Sequence, residues 1–149
     1  MPQAKSAATS RAAAGPVKLA LASYTTLSGA KASHGPHVKV SEAHLKKLLA
    51  SVLNHVSVDE TWYVRRYPDV GEAIARGDVA SAKDHYRKAG YFEDRFPRPI
   101  SVDVDWYLNK YPDVRKAVTE GAVASAQEHF ERHGFREGRL PHPDWSLCD

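Results

Sequence analysis

The stretch Arg65-Arg66-Tyr67-Pro68-Asp69-Val70 returns as Asn109-Lys110-Tyr111-Pro112-Asp113-Val114, its last four residues unchanged. Proline decides how it reads. A residue before proline is driven out of the helical region, and proline suits the first position of a helix, where no amide hydrogen is needed. Asp69 and Asp113 then fall in a first turn, where the helix dipole favours negative charge. YPDV is therefore a helix-to-helix corner, with Tyr67, Pro68 and Asp69, and Tyr111, Pro112 and Asp113, as its structural residues.

Working outward, residues 57–99 align on 101–143 without a gap, at an offset of 44, with about half the positions identical. A period of this size marks a duplicated supersecondary unit. Asp59 and Asp103 stand where an N-cap belongs, opening a short helix that carries Trp62, Tyr63 and Tyr67, or Trp106, Tyr107 and Tyr111. The second helix follows YPDV and ends at Gly77 or Gly121, each placed for a left-handed residue. A third helix is expected over 79–89, with Val79, Ala82, Tyr86 and Ala89 on one stripe, and over 123–133 in the second copy; Gly90 and Gly134 terminate them. The prolines of EDRFPRP and EGRLPHP predict an extended connector.

Before the repeats, Ser41 reads as an N-cap to EAHLKKLLASVLNHV, whose Leu45, Leu48, Leu49, Val52, Leu53 and Val56 form one apolar stripe. Such a helix caps the first repeat, as terminal elements do in arrays. From Met1 to about Val40 the chain is rich in small and basic residues and holds no acid. That composition predicts a disordered tail. The expected fold is thus all-α: a disordered basic tail over 1–40, an amphipathic helix over 41–56, two tandem three-helix repeats over 57–99 and 101–143, and a C-terminal tail over 144–149.

Charge is unevenly spread. Residues 1–56 hold seven Lys or Arg against Glu42, and the remainder holds fourteen against seventeen acids. Any anionic partner therefore belongs to the N-terminal tail. No apolar run reaches the length of a membrane span, and VKLALA, broken by Lys18, is too short for a secretory core. The one cysteine, Cys148, permits no internal disulfide. A cytoplasmic location fits.

The chemistry-bearing candidates each have a structural explanation. His85 and His129 recur without a nucleophile or carboxylate on their face, which favours a hydrogen bond to backbone or to the aspartate of the YPDV corner. His129 and His133 stand four apart, but the order H-F-E-R-H puts Glu131 on the other side from a metalloprotease base. No catalytic residue, cofactor or metal is expected. Arg95 with Glu93, and Arg139 with Glu137, could join Trp62 and Trp106 in a sugar site in each repeat; alternatively the arginines pair with Asp69 and Asp113 and the indoles are core. Trp145 is the candidate anchor for self-association at the end 141–149.

The pattern D-x-x-W-Y-[VL]-x-x-Y-P-D-V, G, A-x-x-H-[YF], G-[YF]-x-E-x-R-x-P resembles repeats of bacterial proteins, often linked to surface polysaccharide synthesis or secretion, over residues 57–143. The resemblance implies a helical repeat and no assigned activity. The copies differ on the second helix, with Gly71, Glu72 and Arg76 against Arg115, Lys116 and Glu120. Surfaces that differ suit different partners, so the leading expectation is a non-enzymatic protein-binding or scaffolding module. The alternative is a carbohydrate-binding module with one site per repeat.

Overall fold

A computed structural model describes residues 40–148, and these are all-helical. The expected tail over 1–40 lies, but for Val40, outside the described residues. Helix α1 runs Glu42–Leu53, its N-terminus held by the Ser41 hydroxyl, which accepts from the His44 amide at 3.3 Å. It packs on the turn Tyr86–Gly90, burying Leu49 and Leu53, and Val56 just beyond. Leu48 departs from expectation at 64% exposed. It sits on the flank of the arc centred on Leu45, Leu49 and Val52, so it faces away from the contact.

Helices α2 (Glu60–Arg66) and α3 (Pro68–Ala75) meet at the YPDV corner, as do α5 (Val104–Lys110) and α6 (Pro112–Thr119). Asp59 accepts from the Trp62 amide at 2.9 Å and Asp103 from the Trp106 amide at 3.0 Å. The corner tyrosines are non-helical, with φ −128° and −121°. At the far end Gly77 and Gly121 have φ of +80° and +73°. Their amides donate to Ile74 and Val118 at 3.0 and 3.1 Å, and the next amides, of Asp78 and Ala122, reach Ala73 and Ala117 at 2.9 Å. These paired bonds satisfy the orphan carbonyls of the helix end.

The third helix differs from expectation in both copies. Helix α4 is only Ala82–His85 and α7 only Ala126–His129, because Ser81 and Ser125 cap them, accepting from Asp84 and Glu128 amides at 3.1 Å. Each continues as a wider π-turn, Tyr86–Gly90 and Phe130–Gly134, closed by i→i+5 bonds of 2.8 Å (Tyr91 to Tyr86) and 3.0 Å (Phe135 to Phe130). Gly90 and Gly134 end these turns, as expected, and do so without a left-handed conformation. They make room, since a Cβ on either would overlap the hydroxyl of Tyr63 or Tyr107.

Within 57–99 the helices α2, α3 and α4 pack on one another, and within 101–143 α5, α6 and α7 do the same. No helix of one set packs on a helix of the other among the described residues. The connector makes the junction. Phe96 stacks on Phe130 with ring centres 6.0 Å apart and meets Phe135 at 4.8 Å. Gln127 accepts from the Val102 amide at 3.0 Å and donates to the Ile100 carbonyl at 2.8 Å, pinning the chain where it passes between the sets.

The C-terminal segment is not a loose tail. Trp145 and Leu147 are 8% and 0% exposed, and Trp145 meets Phe135 edge-on at 6.2 Å. Arg98 donates to the carbonyls of Ser57 and Leu147 at 3.1 and 3.2 Å, strapping this segment across the core. The indole expected to anchor a second copy thus completes this molecule's own core, since the end of the core would otherwise face water.

Two outcomes test this packing. Gly90→Ala lowers stability by about 2 kcal/mol through overpacking, and Tyr63→Phe, by removing the obstructing hydroxyl, restores part of that loss in a double-mutant cycle read by urea unfolding. Tyr86 is fully buried and its hydroxyl lacks a hydrogen-bond partner among the described residues, where the second set has Phe130. Tyr86→Phe therefore raises stability by about 1 kcal/mol, visible as a higher Tm.

Candidate functional site

Each set of helices gathers one polar cluster, assembled from four places in the chain. Helix α2 and the corner after it supply Tyr63 and Tyr67, the first turn of α3 supplies Asp69, the end of α4 supplies His85, and the loop after the π-turn supplies Glu93 and Arg95. Arg95 forks onto Asp69, with Nη1 to Oδ1 at 3.1 Å and Nη2 to Oδ2 at 2.8 Å, while its Nε reaches Glu93 at 2.6 Å. The guanidinium lies over the Tyr67 ring at 4.9 Å, and the Tyr67 hydroxyl accepts from the Phe96 amide at 2.9 Å. In the second set Arg139 makes the same fork on Asp113 at 3.0 and 2.7 Å, reaches Glu137 at 2.6 Å and covers Tyr111 at 4.8 Å. Tyr111 accepts from the Leu140 amide at 2.9 Å.

Beneath the fork, the hydroxyls of Tyr63 and Tyr107 share a hydrogen bond with Nδ1 of His85 at 3.2 Å and of His129 at 3.1 Å. The partner is neither the backbone nor the corner aspartate expected from sequence, because Arg95 and Arg139 already saturate that carboxylate. Burial and then the adjacent arginine hold both imidazoles below the ordinary histidine range. Burial pushes both tyrosines above theirs. The arginine bonds hold Asp69 below the usual carboxylate range and Asp113 down to about 2. Neutral imidazole, neutral phenol and a satisfied fork make this a structural lock.

The structure separates the residues that a sugar site per repeat requires. Glu93 and Arg95 close on Asp69, whereas Trp62 lines a different feature, a groove of about 230 Å³ at the junction with Arg66, Phe96, Arg98, Gln127 and Glu131 around it. Tyr67 stands between the two, edge-on to Trp62 at 6.2 Å on one side and under Arg95 on the other. Trp106 repeats the contact with Tyr111 at 6.2 Å but does not line this groove. A second depression of about 310 Å³ lies beyond Pro99 and Ile100, against His142 and Trp145.

Arg66, Arg98 and Gln127 were not singled out from the sequence, and Glu131 was named only as a residue that does not serve His129 and His133. The four come from both repeats and meet only when the connector folds between them; the signal available was the Arg/Lys pairing of positions 66 and 110 beside each tryptophan. The rings of His129 and His133 are 5.8 Å apart. No group of three or more His, Cys, Asp or Glu side chains suited to a metal occurs among the described residues, and no helix among them is long and apolar enough to cross a membrane.

The shifts carry a pH dependence of definite sign. A depressed folded-state pKa means that the unfolded chain binds more protons, so stability present at higher pH is lost as pH falls. For His85 and His129 the loss begins as pH drops below about 6.5 and continues toward their folded values. For Asp69 and Asp113 a further loss begins near pH 4, ending for Asp113 near about 2. The double variant His85→Gln with His129→Gln removes the first decline and leaves the second, as read from urea midpoints across pH.

In comparison with known proteins, no family model matches the chain, and no curated protein and no solved structure matches it.

Proposed function

We propose that the chain is a non-enzymatic protein-binding or scaffolding module of the bacterial cytoplasm, accessory to surface polysaccharide production, a process with which proteins carrying similar repeats are often linked. One observation carries the protein-binding reading: beside two locks that repeat the same contacts, the second helices carry opposite charge order at equivalent exposed positions. On α3 Glu72 precedes Arg76, 4.0 Å from it, and on α6 Lys116 precedes Glu120, 3.8 Å from it. Such exposed pairs add little stability, typically under about 1 kcal/mol, so reversing them costs the fold little and changes what a partner meets. Charge order of this kind governs specificity and encounter rate. The locks support the non-enzymatic reading, because their histidines are bonded to tyrosines and their arginines to carboxylates rather than arranged around a space for substrate. The basic segment ahead of α1 supplies attraction to an anionic partner.

The test is affinity purification from the native cell with the full chain and with a charge-reversed chain, Glu72→Lys with Arg76→Glu. A protein recovered by the native chain and lost by the variant, at unchanged Tm, is the expected result. Equal recovery by both places recognition elsewhere and removes the argument from α3 and α6.

A further inference from the structure

The junction groove has a chemistry that the protein-binding faces of α3 and α6 do not share. Trp62 is half-buried at its wall and Phe96 forms part of its lining. The guanidinium of Arg66 lies 5.9 Å from the centre of the Tyr67 ring and makes no hydrogen bond or ion pair among the described residues. Arg98, which lines the groove, uses Nη1 for the Ser57 and Leu147 carbonyls, and its Nε and Nη2 make no hydrogen bond among the described residues. Across from them, Gln127 spends both ends of its amide on the connector and on Glu131, whose Oε1 accepts from it at 2.8 Å. That leaves Glu131 Oε2 as an acceptor on a side chain whose Oε1 Gln127 already holds.

These groups impose three demands on one occupant. It must offer an apolar face to the indole, an anionic or strongly accepting group to two guanidiniums, and hydroxyl or amide donors to a carboxylate. Planar guanidinium and carboxylate groups both bind in pairs, matching a carboxylate on one side and vicinal hydroxyls on the other. The cavity of about 230 Å³ is smaller than pockets for drug-sized molecules, which begin near about 300 Å³. It suits one ring and is too small for a helical peptide face.

We propose that the junction groove binds a pyranose ring bearing a carboxylate, a uronate unit of an acidic oligosaccharide, with its C–H face on Trp62, its carboxylate on Arg66 and Arg98, and a hydroxyl donating to Glu131. There is one such site per chain rather than one per repeat, because the two walls come from different repeats. This goes beyond the protein-binding reading and stands on different residues, so each can fail without the other.

Isothermal titration of the full chain with trigalacturonate, trimannuronate, maltotriose and hexaglutamate tests it. The expected result is binding of at least one uronate trimer, with maltotriose weaker by about tenfold, the loss of one charge-assisted contact. Trp62→Ala and Arg66→Ala each weaken the uronate by about tenfold or more, while Trp106→Ala leaves it unchanged. Arg66 is exposed, so its variant folds even where loss of the indole destabilises. Absence of binding by both uronates at millimolar concentration overturns the proposal. So does equal affinity for maltotriose, or uronate binding that survives Trp62→Ala and Arg66→Ala, which would belong to the basic N-terminal segment. Hexaglutamate binding that depends on Arg66 and exceeds the uronates would reassign the groove to an acidic peptide, and also overturns it.

Discussion

Everything else in the fold leans on an arginine laid across a tyrosine ring and forked onto an aspartate. Arg95 does this to Tyr67 and Asp69, and Arg139 to Tyr111 and Asp113. The aspartates are 60% and 62% exposed on their side chains, so the ion pair by itself is a surface interaction of modest strength. Its value is positional. The same tyrosine accepts a backbone bond from the residue after the arginine, so ring, hydroxyl and carboxylate together return the closing loop to the corner it started from. Once that loop is fixed, Pro97 and Pro141 are placed so that their carbonyls accept from the amides of the N-cap residues Asp59 and Asp103 at 3.0 Å.

The lock also explains the π-turns. A regular α-helix through His85 and Tyr86 has no spare residue with which to bring Gly90 against the Tyr63 hydroxyl while His85 bonds that same hydroxyl. The wider turn provides it, and the glycine removes the one atom that would collide. Position 94 shows how the second half of this loop was accommodated differently in the two copies. Asp94 takes φ +53° where Gly138 takes +71°. Aspartate tolerates this region better than most side chains, and its carboxylate lies 3.8 Å from Arg136 of the second set.

Because the helices of the two sets do not pack on one another among the described residues, the connector is both the joint and one wall of the junction groove, which residues of both repeats line. A flexible joint would leave that cleft ill-defined. Phe96 between Phe130 and Phe135, the Gln127 bonds to the connector backbone, and the strap of Trp145 and Leu147 held by Arg98 remove that freedom. Rigid placement of few polar groups is what lets a shallow groove discriminate between ligands.

The sequence by itself determined the local grammar: the aspartate and serine caps, the proline corner, the left-handed glycines at 77 and 121, and the amphipathic first helix. Each depends on interactions within one or two turns, which residue type and spacing encode directly. The fork of Arg95 onto Asp69 was legible as one of two readings, since a repeated arginine and a repeated aspartate invite pairing but do not exclude a ligand. Tertiary structure alone decided the rest. The histidines bond tyrosines because the aspartates are taken; Gly90 and Gly134 serve a neighbouring helix, not their own; Leu48 points to water because one face of α1 is narrower than its apolar content; Trp145 turns inward because the core has an open end. The junction groove lies furthest from sequence, because Trp62 and Glu131 are brought together only when two helical sets and the chain between them settle into one core.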